Sequence, residues 1–490
     1  MPTLNWLGKK AVENHHNEVP YRLLRCNPDL SVGEPGSGNL LVQGDNLEAL
    51  KALLPYYGGK VKCIYIDPPY NTGNENGVYN DAVNSPEMRQ WLGDVVGRDD
   101  LSRHDKWLCM MYPRLALLRE FLTEDGAIFI SIDDNEVQNL RAIMDEVFGE
   151  ESFVDTAIWQ KNYAPKSGAR HFSSDHDYIL VYARNAERWT PNLLPRTERQ
   201  DRIYKNPDND PRGLWRPDNL AARNHYSKGV YPITCPSGRV IQGPPRGQYW
   251  RISEERLKEL DKDGRIWWGK SGNNIPAPKI FLSEVKQGIV PQTLWKYEDV
   301  GHTQEAKQEL VAICDFEDSA SVFITPKPVR LLRRVLEIGA DKDSILLDSF
   351  AGSGTTGLAV LDPNRADGGS RRFLLVEMDG PIAGGITSQR LQRAIDGYQN
   401  KKGKTVPRLG SGFRFCELGE TLFEADGSNR RAVRFADLAA HVFFAEMREP
   451  LPGPHDGPKV VYGTACTLGA GTLKRHGVTF RQIPYEVKAS

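Results

Sequence analysis

The tetrad Asp67-Pro68-Pro69-Tyr70 joins an acid, two rigid imino acids and a flat ring at the end of an apolar run, Ile64 to Ile66. Consecutive prolines donate no backbone hydrogen bonds and cannot continue a strand. A residue before proline is driven into the extended region, and this applies to Asp67 and to Pro68. The Asp67 carboxylate and the Pro68 carbonyl are therefore expected to point the same way, as two neighbouring acceptors. Such a pair suits a primary amine on an aromatic ring. Gripping both N–H bonds pulls the amine towards a tetrahedral shape and frees its lone pair for attack. Tyr70 would stack on the ring, since a base taken out of its stack loses about a few kcal/mol that a new partner must offset. No strong base is needed, because the proton can leave during or after transfer to a sulfonium carbon.

A second stretch, "SILLDSFAGSGTTGLAVL" (344–361), reads as a strand, a glycine turn and a helix. Gly352 to Gly357 spell GxGxxG, and Glu377 follows 20 residues beyond Gly357 at the end of the next apolar run. This spacing resembles the dinucleotide fingerprint, in which glycines admit a cofactor's backbone and an acid binds a ribose hydroxyl. No Lys follows the glycines, which argues against a phosphate-cradling P-loop. A nucleoside cofactor remains: NAD(P), FAD or S-adenosylmethionine. A glycine turn serving only close packing is the plain alternative.

Several elements must position these residues. Apolar runs end in Asp45, Asp67, Asp133, Asp348 and Glu377. Continuous rather than alternating apolar runs predict strands buried on both faces of a parallel sheet with helices on each side. Ligands of open α/β sheets bind at the carboxyl ends of such strands. One acid there is commonly a helix cap; five mark a polar crevice. Between them, "CMMYPRLALLREFL" (109–122) carries a helical stripe with Pro113 near its start or at a kink. "TPKPVRLLRRVLEIGA" (325–340) predicts a helix capped by Thr325 with Pro326 at its first position.

From Gln160 to Ile280 the pattern breaks into short pieces rich in Pro, Gly, Asn, Arg and Trp. Residues 161–280 hold 22 Lys plus Arg against 13 Asp plus Glu, whereas the whole chain of 490 residues carries a net charge of −1. A basic segment interleaved with aromatics suits nucleic acid, because cations neutralise phosphates and rings stack on bases; an elaborated loop domain is the alternative. No run spans a bilayer and no signal peptide pattern opens the chain. The seven cysteines are scattered and never in a CxxC pair, so neither a disulfide framework nor a zinc site is expected, and a reducing cytoplasm fits.

Together these motifs resemble a known family. Asp67 to Tyr70 match the DPPY motif of amino-group DNA methyltransferases, and Phe350 to Gly354 match their FxGxG cofactor loop. The catalytic motif precedes the cofactor motif, which is the β-class order. "DPPYNTG", "GDNLEAL", "DYILVYARN", "TPKP", "DSFAGSGTT" and the terminal "VTFRQIPYEVK" are similar to the modification subunits of type III restriction–modification systems. The chain is shorter than many such subunits. The resemblance implies a Rossmann-like, mainly parallel α/β fold and S-adenosylmethionine as methyl donor. It implies an N-terminal extension (1–38), a catalytic half (39–160), a target-recognition domain (161–320), a cofactor-binding half (321–405) and a C-terminal unit (406–490). Asp67, Pro68, Pro69 and Tyr70 would serve the target amine. Asp348, Phe350, Gly352 and Gly354 would serve the cofactor, Glu377 its ribose, Asp45 its adenine, and Lys327 and Thr355 its methionine end. Arg212, Trp215 and Arg216 are the expected DNA contacts.

In that family, Asp at the first motif position goes with adenine and Ser more often with cytosine, so the resemblance favours transfer to the N6 amine of a flipped adenine in duplex DNA over cytosine N4. A helicase–nuclease subunit and a second copy of the chain are the implied protein partners. A dehydrogenase has no use for the amine clamp, and a cytosine-C5 enzyme needs a nucleophilic Cys after proline, which is absent. Glu486 and Lys488 form an E-x-K nuclease spacing that arises easily by chance.

Overall fold

The computed structural model describes residues 3–34, 36–73, 86–97, 101–316, 325–400, 403–424, 428, 430, 433–434, 437–439, 441, 443, 459–463 and 478–482. Two compact units emerge: residues 1–192 with 291–490, and residues 193–290.

The first unit is built on ten strands: β1 (Arg22–Gly33), β2 (Leu40–Gln43), β3 (Val61–Ile66), β4 (Leu122–Ile132), β5 (Phe153–Gln160), β6 (His176–Ala183), β7 (Leu294–Trp295), β8 (Ile345–Asp348), β9 (Arg372–Glu377) and β10 (Gly412–Thr421). They lie in the order β1-β10-β2-β9-β8-β3-β4-β6-β5-β7. The run from β10 to β4 is parallel throughout. β1 is antiparallel to β10, and β6 is antiparallel to both β4 and β5. β8 is buried at every position and β3 and β9 at all but one, as their unbroken apolar runs require. The expected mainly parallel α/β architecture is therefore present.

The helices α1 (Asn46–Tyr57), α2 (Arg103–Phe121), α3 (Val329–Gly339), α4 (Thr355–Asp367) and α5 (Ser388–Asp396) belong to this unit. Pro113 lies inside α2, which continues to Phe121. α3 starts later than the sequence suggests: Pro328, not Thr325, occupies its cap position. Thr325 and Lys327 each precede a proline and are driven out of the helical region, so the helix cannot start until the last proline has passed.

β3 and β8 are neighbours, yet the chain leaves β3 for β4 on one side and β8 for β9 on the other. Such a reversal opens a crevice at the carboxyl ends of the two central strands. Asp67 and Asp348 stand there. Asp45, in contrast, does take the ordinary cap role: its Oδ1 accepts from Leu47 N at 2.9 Å and Glu48 N at 3.2 Å at the start of α1.

Residues 412–421 of the C-terminal part belong to this sheet, because β10 lies between β1 and β2. That pairing also brings Cys26 and Cys416, 390 residues apart, into a disulfide across β1 and β10. The scattered spacing of the cysteines concealed it. Residues 459–463 and 478–482 form a parallel strand pair. Glu486 and Lys488 lie outside the described residues.

The second unit has a three-stranded sheet (Trp215–Pro217, Ile266–Trp267 and Ala277–Phe281), two short strand pairs and the helix Glu254–Lys262. Its core joins the aliphatic Leu220, Ile233, Leu257 and Ile266 to the aromatic Tyr231 and Trp250. Trp250 and Trp215 are both buried, and Trp215 Nε1 donates to Asp208 at 2.8 Å. Trp215 is therefore not the exposed stacking ring that the sequence suggested. Nor is Arg212 a free cation: it binds Asp210 at 2.8 Å and Asp263 at 3.2 Å, while Lys279 joins Asp208 and Asp210. Arg216 lies 3.6 Å from Asp218. Composition counts cations but not the carboxylates that fold against them. Arg212→Ala is expected to lower the stability of this unit by about 1–3 kcal/mol, by leaving hydrogen-bonded carboxylates short of a partner. A thermal melt equal to the parent's would refute the network's structural role.

Candidate active site

The tetrad is delivered by β3 and held from below. Trp107 of α2, fully buried, donates its indole Nε1 to Pro69 O at 2.7 Å. The next residue, Asn71, is buried in the left-handed region at φ 56°. Asparagine tolerates that region better than most residues. Its Nδ2 donates to Arg103 O at 3.2 Å and to Glu136 Oε1 at 2.5 Å. Glu136 has no exposed surface and also meets His104 Nδ1 at 2.6 Å. The clamp thus rests on a buried polar support; Asn71 lies within the quoted "DPPYNTG", while Glu136 and His104 carried no motif.

Asp67 forms an ion pair with Lys327 through Oδ2. Its other oxygen, Oδ1, is buried and accepts no hydrogen bond among the described residues. Lys327 Nζ also stands 5.0 Å from the centre of the Tyr70 ring. Lys327 was expected beside a cofactor; in the structure it bridges to the acid of the clamp. The Tyr70 hydroxyl lies 3.5 Å from Asp177 Oδ2, and Asp177 is bound by Lys161 at 2.5 Å. Burial holds the Asp177 carboxyl above its ordinary range, against the pull of Lys161 and Lys327.

A cavity of about 320 Å³ opens over this group, lined by the tetrad with Trp159, Lys161, Asp177 and Lys327. Its size suits a single heterocyclic base, and it holds acceptors and cations but no strong base. Asp177 opens the stretch "DYILVYARN", but nothing in the sequence singled out its carboxylate or Lys161, which β6 and β5 bring to the tetrad.

Asp67 and Lys327 also line a second, smaller cavity with Asp348, Phe350, Gly352 and Thr355. The two residues therefore form a shared wall. Here the glycine loop is fixed by its acids. Asp348 accepts from Phe350 N at 3.0 Å and from the Thr356 hydroxyl at 2.5 Å. Glu377 accepts from Gly352 N at 2.7 Å and Asp379 N at 3.0 Å. Burial pushes both carboxyls up to about 7, and in Asp348 the nearby Asp67 and Glu377 add to the effect. Gly352 and Gly354 have φ of 50° and 75°, a region glycine enters freely. Gly357 allows close packing, since a Cβ there would meet Leu391 Cδ2 at 2.5 Å. The Thr355 hydroxyl donates to Lys327 O at 3.2 Å and accepts from the buried Arg390 at 2.9 Å.

A third cavity of about 430 Å³ is lined by Asp45, Glu48, Trp91, His15 and Met378, the residue after Glu377. The buried Arg114 holds Asp45 at 2.8 Å. Of the residues expected at the cofactor, the structure thus groups Asp348, Phe350, Gly352, Thr355 and Lys327 around one cavity and places Asp45 at another, while Gly354 and Glu377 line neither.

A raised carboxyl has a consequence for stability. Because the neutral form of Asp348 is preferred in the fold, its contribution is full below the usual carboxylate range and is lost as pH rises through about 7. Asp348→Asn, which stays neutral, is expected to gain on the parent between about pH 4 and 7, by roughly 1.4 kcal/mol for each pH unit, and to hold that gain above pH 7. Parallel thermal melts with equal pH slopes would overturn this.

A family model described as DNA methylase matches residues 61–382. The chain is 36% identical over 398 residues to the type III restriction-modification enzyme StyLTI Mod subunit of Salmonella typhimurium, covering 78% of this chain and 58% of that protein. It is 34% identical over 417 residues to the EcoPI Mod subunit of Escherichia phage P1, covering 77% and 63%. With the EcoP15I Mod subunit of Escherichia coli it shares 31% identity over 509 residues, covering 91% and 74%. The chain thus spans less than two thirds of the length of the first two relatives. The family match begins at the first residue of β3 and ends beyond β9, so that it takes in both the acid–proline clamp and the glycine loop: the chain belongs to the DNA methylase family.

Proposed function

We propose that this chain transfers a methyl group from S-adenosylmethionine to the exocyclic N6 amine of an adenine flipped out of duplex DNA, as the modification component of a restriction–modification system. The observation that carries this reading is the buried Asp67 Oδ1, without a hydrogen-bond partner among the described residues, in the wall shared by two cavities. An unpaired buried acceptor is costly, and a donor arriving in the larger cavity would satisfy it.

The base would enter the 320 Å³ cavity with Tyr70 against its face and its amine at Asp67 and the Pro68 carbonyl. Trp107 and Asn71 hold the turn, so that the acceptors need not reorganise. The cofactor's donor set also fits. Phe350, Gly352, Thr355 and Lys327 would hold the methionine end and Asp45 the adenine beside Met378; Gly354 would shape the turn of the loop, and Glu377, bonded to Gly352 N, would take the ribose. Bound there, it would supply an electrophilic methyl group on a sulfonium. Asp348 shapes the loop from behind by fixing Phe350 N and Thr356.

Residues 193–290, within the segment expected to recognise the target, are the proposed source of sequence selectivity. The relatives' names mention restriction–modification enzymes, which supports a helicase–nuclease subunit as partner. A homodimer in the cytoplasm, acting on chromosomal DNA, completes the reading. No helix among the described residues is long and apolar enough to cross a membrane. Single-molecule sequencing of DNA from cells expressing this chain alone tests the proposal. N6-methyladenine at one fixed sequence is expected; N4-methylcytosine, or unmodified DNA, would overturn it.

A further inference from the structure

We propose that the loop joining β5 to β6, residues 161–175, is the element that enters the duplex beside the target, with Phe172 filling the gap in the base stack. This rests on the reading of the chain as a base-flipping enzyme and adds to it the surface that opens the DNA.

The loop is a built structure. Its neck is closed by Lys161 N and Asn162 N, which both donate to Asp175 O at 2.8 and 3.2 Å. Ser173 then staples it, accepting from Lys166 N at 2.8 Å and donating to Asp175 Oδ1 at 2.6 Å. Every residue from 163 to 172 is exposed. Phe172 is 93% exposed, more than any other large hydrophobic residue among those described. Tyr163, the loop's other aromatic residue, lies 5.2 Å from the His302 ring. Phe172 makes no ring or cation contact among the described residues, so nothing in the fold accounts for its place.

A single exposed apolar residue is ordinary on a protein surface; the position of this one is not. The neck residues Lys161 and Asn162, with Lys166 on the flank, line the same cavity as the Asp67 clamp. The loop therefore begins at the base cavity and ends in a free ring. Besides Lys161, which Asp177 holds, it carries Lys166 and Arg170 against the single acid Asp175, a balance that favours a phosphate backbone. A base moved into the cavity leaves its neighbours unstacked, which opposes flipping. A flat ring stacked on those neighbours offsets part of that loss. Phe172 is the free ring attached to the cavity wall.

Methylation rates of Phe172→Ala on two duplexes test this: one fully paired, one with the target adenine opposite an abasic site, where flipping is already cheap. On the paired duplex the variant is expected to lose about tenfold or more in rate, from the lost stacking. On the abasic duplex it should match the parent within about twofold, and Phe172→Trp should retain activity on both. Equal rates for parent and Phe172→Ala on the paired duplex would overturn the proposal, and so would an equal loss on both duplexes. An unchanged thermal melt is expected from so exposed a residue. A parent chain that methylates neither duplex would instead overturn the underlying functional reading.

Discussion

Asp67→Ala is expected to abolish methyl transfer, by about a thousandfold or more, while cofactor affinity stays within about threefold of the parent. The size follows from what is removed. A preorganised polar group aimed at developing charge is worth about 10²–10³ in rate, and Asp67 also places the attacking atom. The complication is Lys327, whose ammonium is paired with Asp67 and only 10% exposed. Removing the acid strands that cation, at a cost of up to about 3 kcal/mol in stability, so lost activity could reflect a loosened fold. The double variant Asp67→Ala with Lys327→Met separates the two effects. It should recover the melting temperature of the parent but none of its activity. A double variant that regains transfer would show that Asp67 serves only to hold Lys327, and the clamp would be refuted. Binding by calorimetry and transfer of labelled methyl groups to DNA provide the two readouts.

The dependence of Asp67 on Lys327 illustrates what was legible in the sequence. The tetrad, the glycine loop and the acids at strand ends are local patterns, and unbroken apolar runs require a buried parallel sheet. Their order along the chain even anticipates the crevice, because β3 and β8 can share a wall only as neighbours. Contacts across the fold carry no such signature. The Asn71–Glu136–His104 support links residues from three separate segments, and any of the three alone looks like an ordinary surface polar group. The Cys26–Cys416 disulfide was hidden for the same reason. Net charge was misleading in the second unit: its arginines were counted correctly, yet Arg212 is engaged by Asp210 and Asp263. The shift in the start of α3 was readable, since two residues before proline resist the helix. It mattered too, because the non-helical Thr325-Pro326-Lys327 segment is what carries Lys327 to Asp67.

Gly354→Leu is expected to weaken cofactor binding by about a hundredfold or more and to lose methyl transfer through KM rather than through the chemical step. Gly354 has φ of 75°, where a residue with a side chain pays about 1–2 kcal/mol. A Cβ there would also meet Thr387 Cγ2 at 2.9 Å, so a larger side chain has no room on that side and must turn towards the loop. The milder Gly354→Ala isolates the contact with Thr387. Thr387→Ser removes Cγ2 yet keeps the hydroxyl, which donates to Gly352 O and Ile382 O. The pair Gly354→Ala with Thr387→Ser should therefore regain part of the affinity lost by Gly354→Ala alone. Recovery should stop short of the parent because the left-handed backbone is still strained. Gly354→Leu should gain nothing from the same second change, since its side chain extends past the space that one methyl group vacates. Normal cofactor affinity in Gly354→Leu would remove the loop from the binding site. Full rescue of Gly354→Leu by Thr387→Ser would place the obstruction at Thr387 instead of in the cofactor's path.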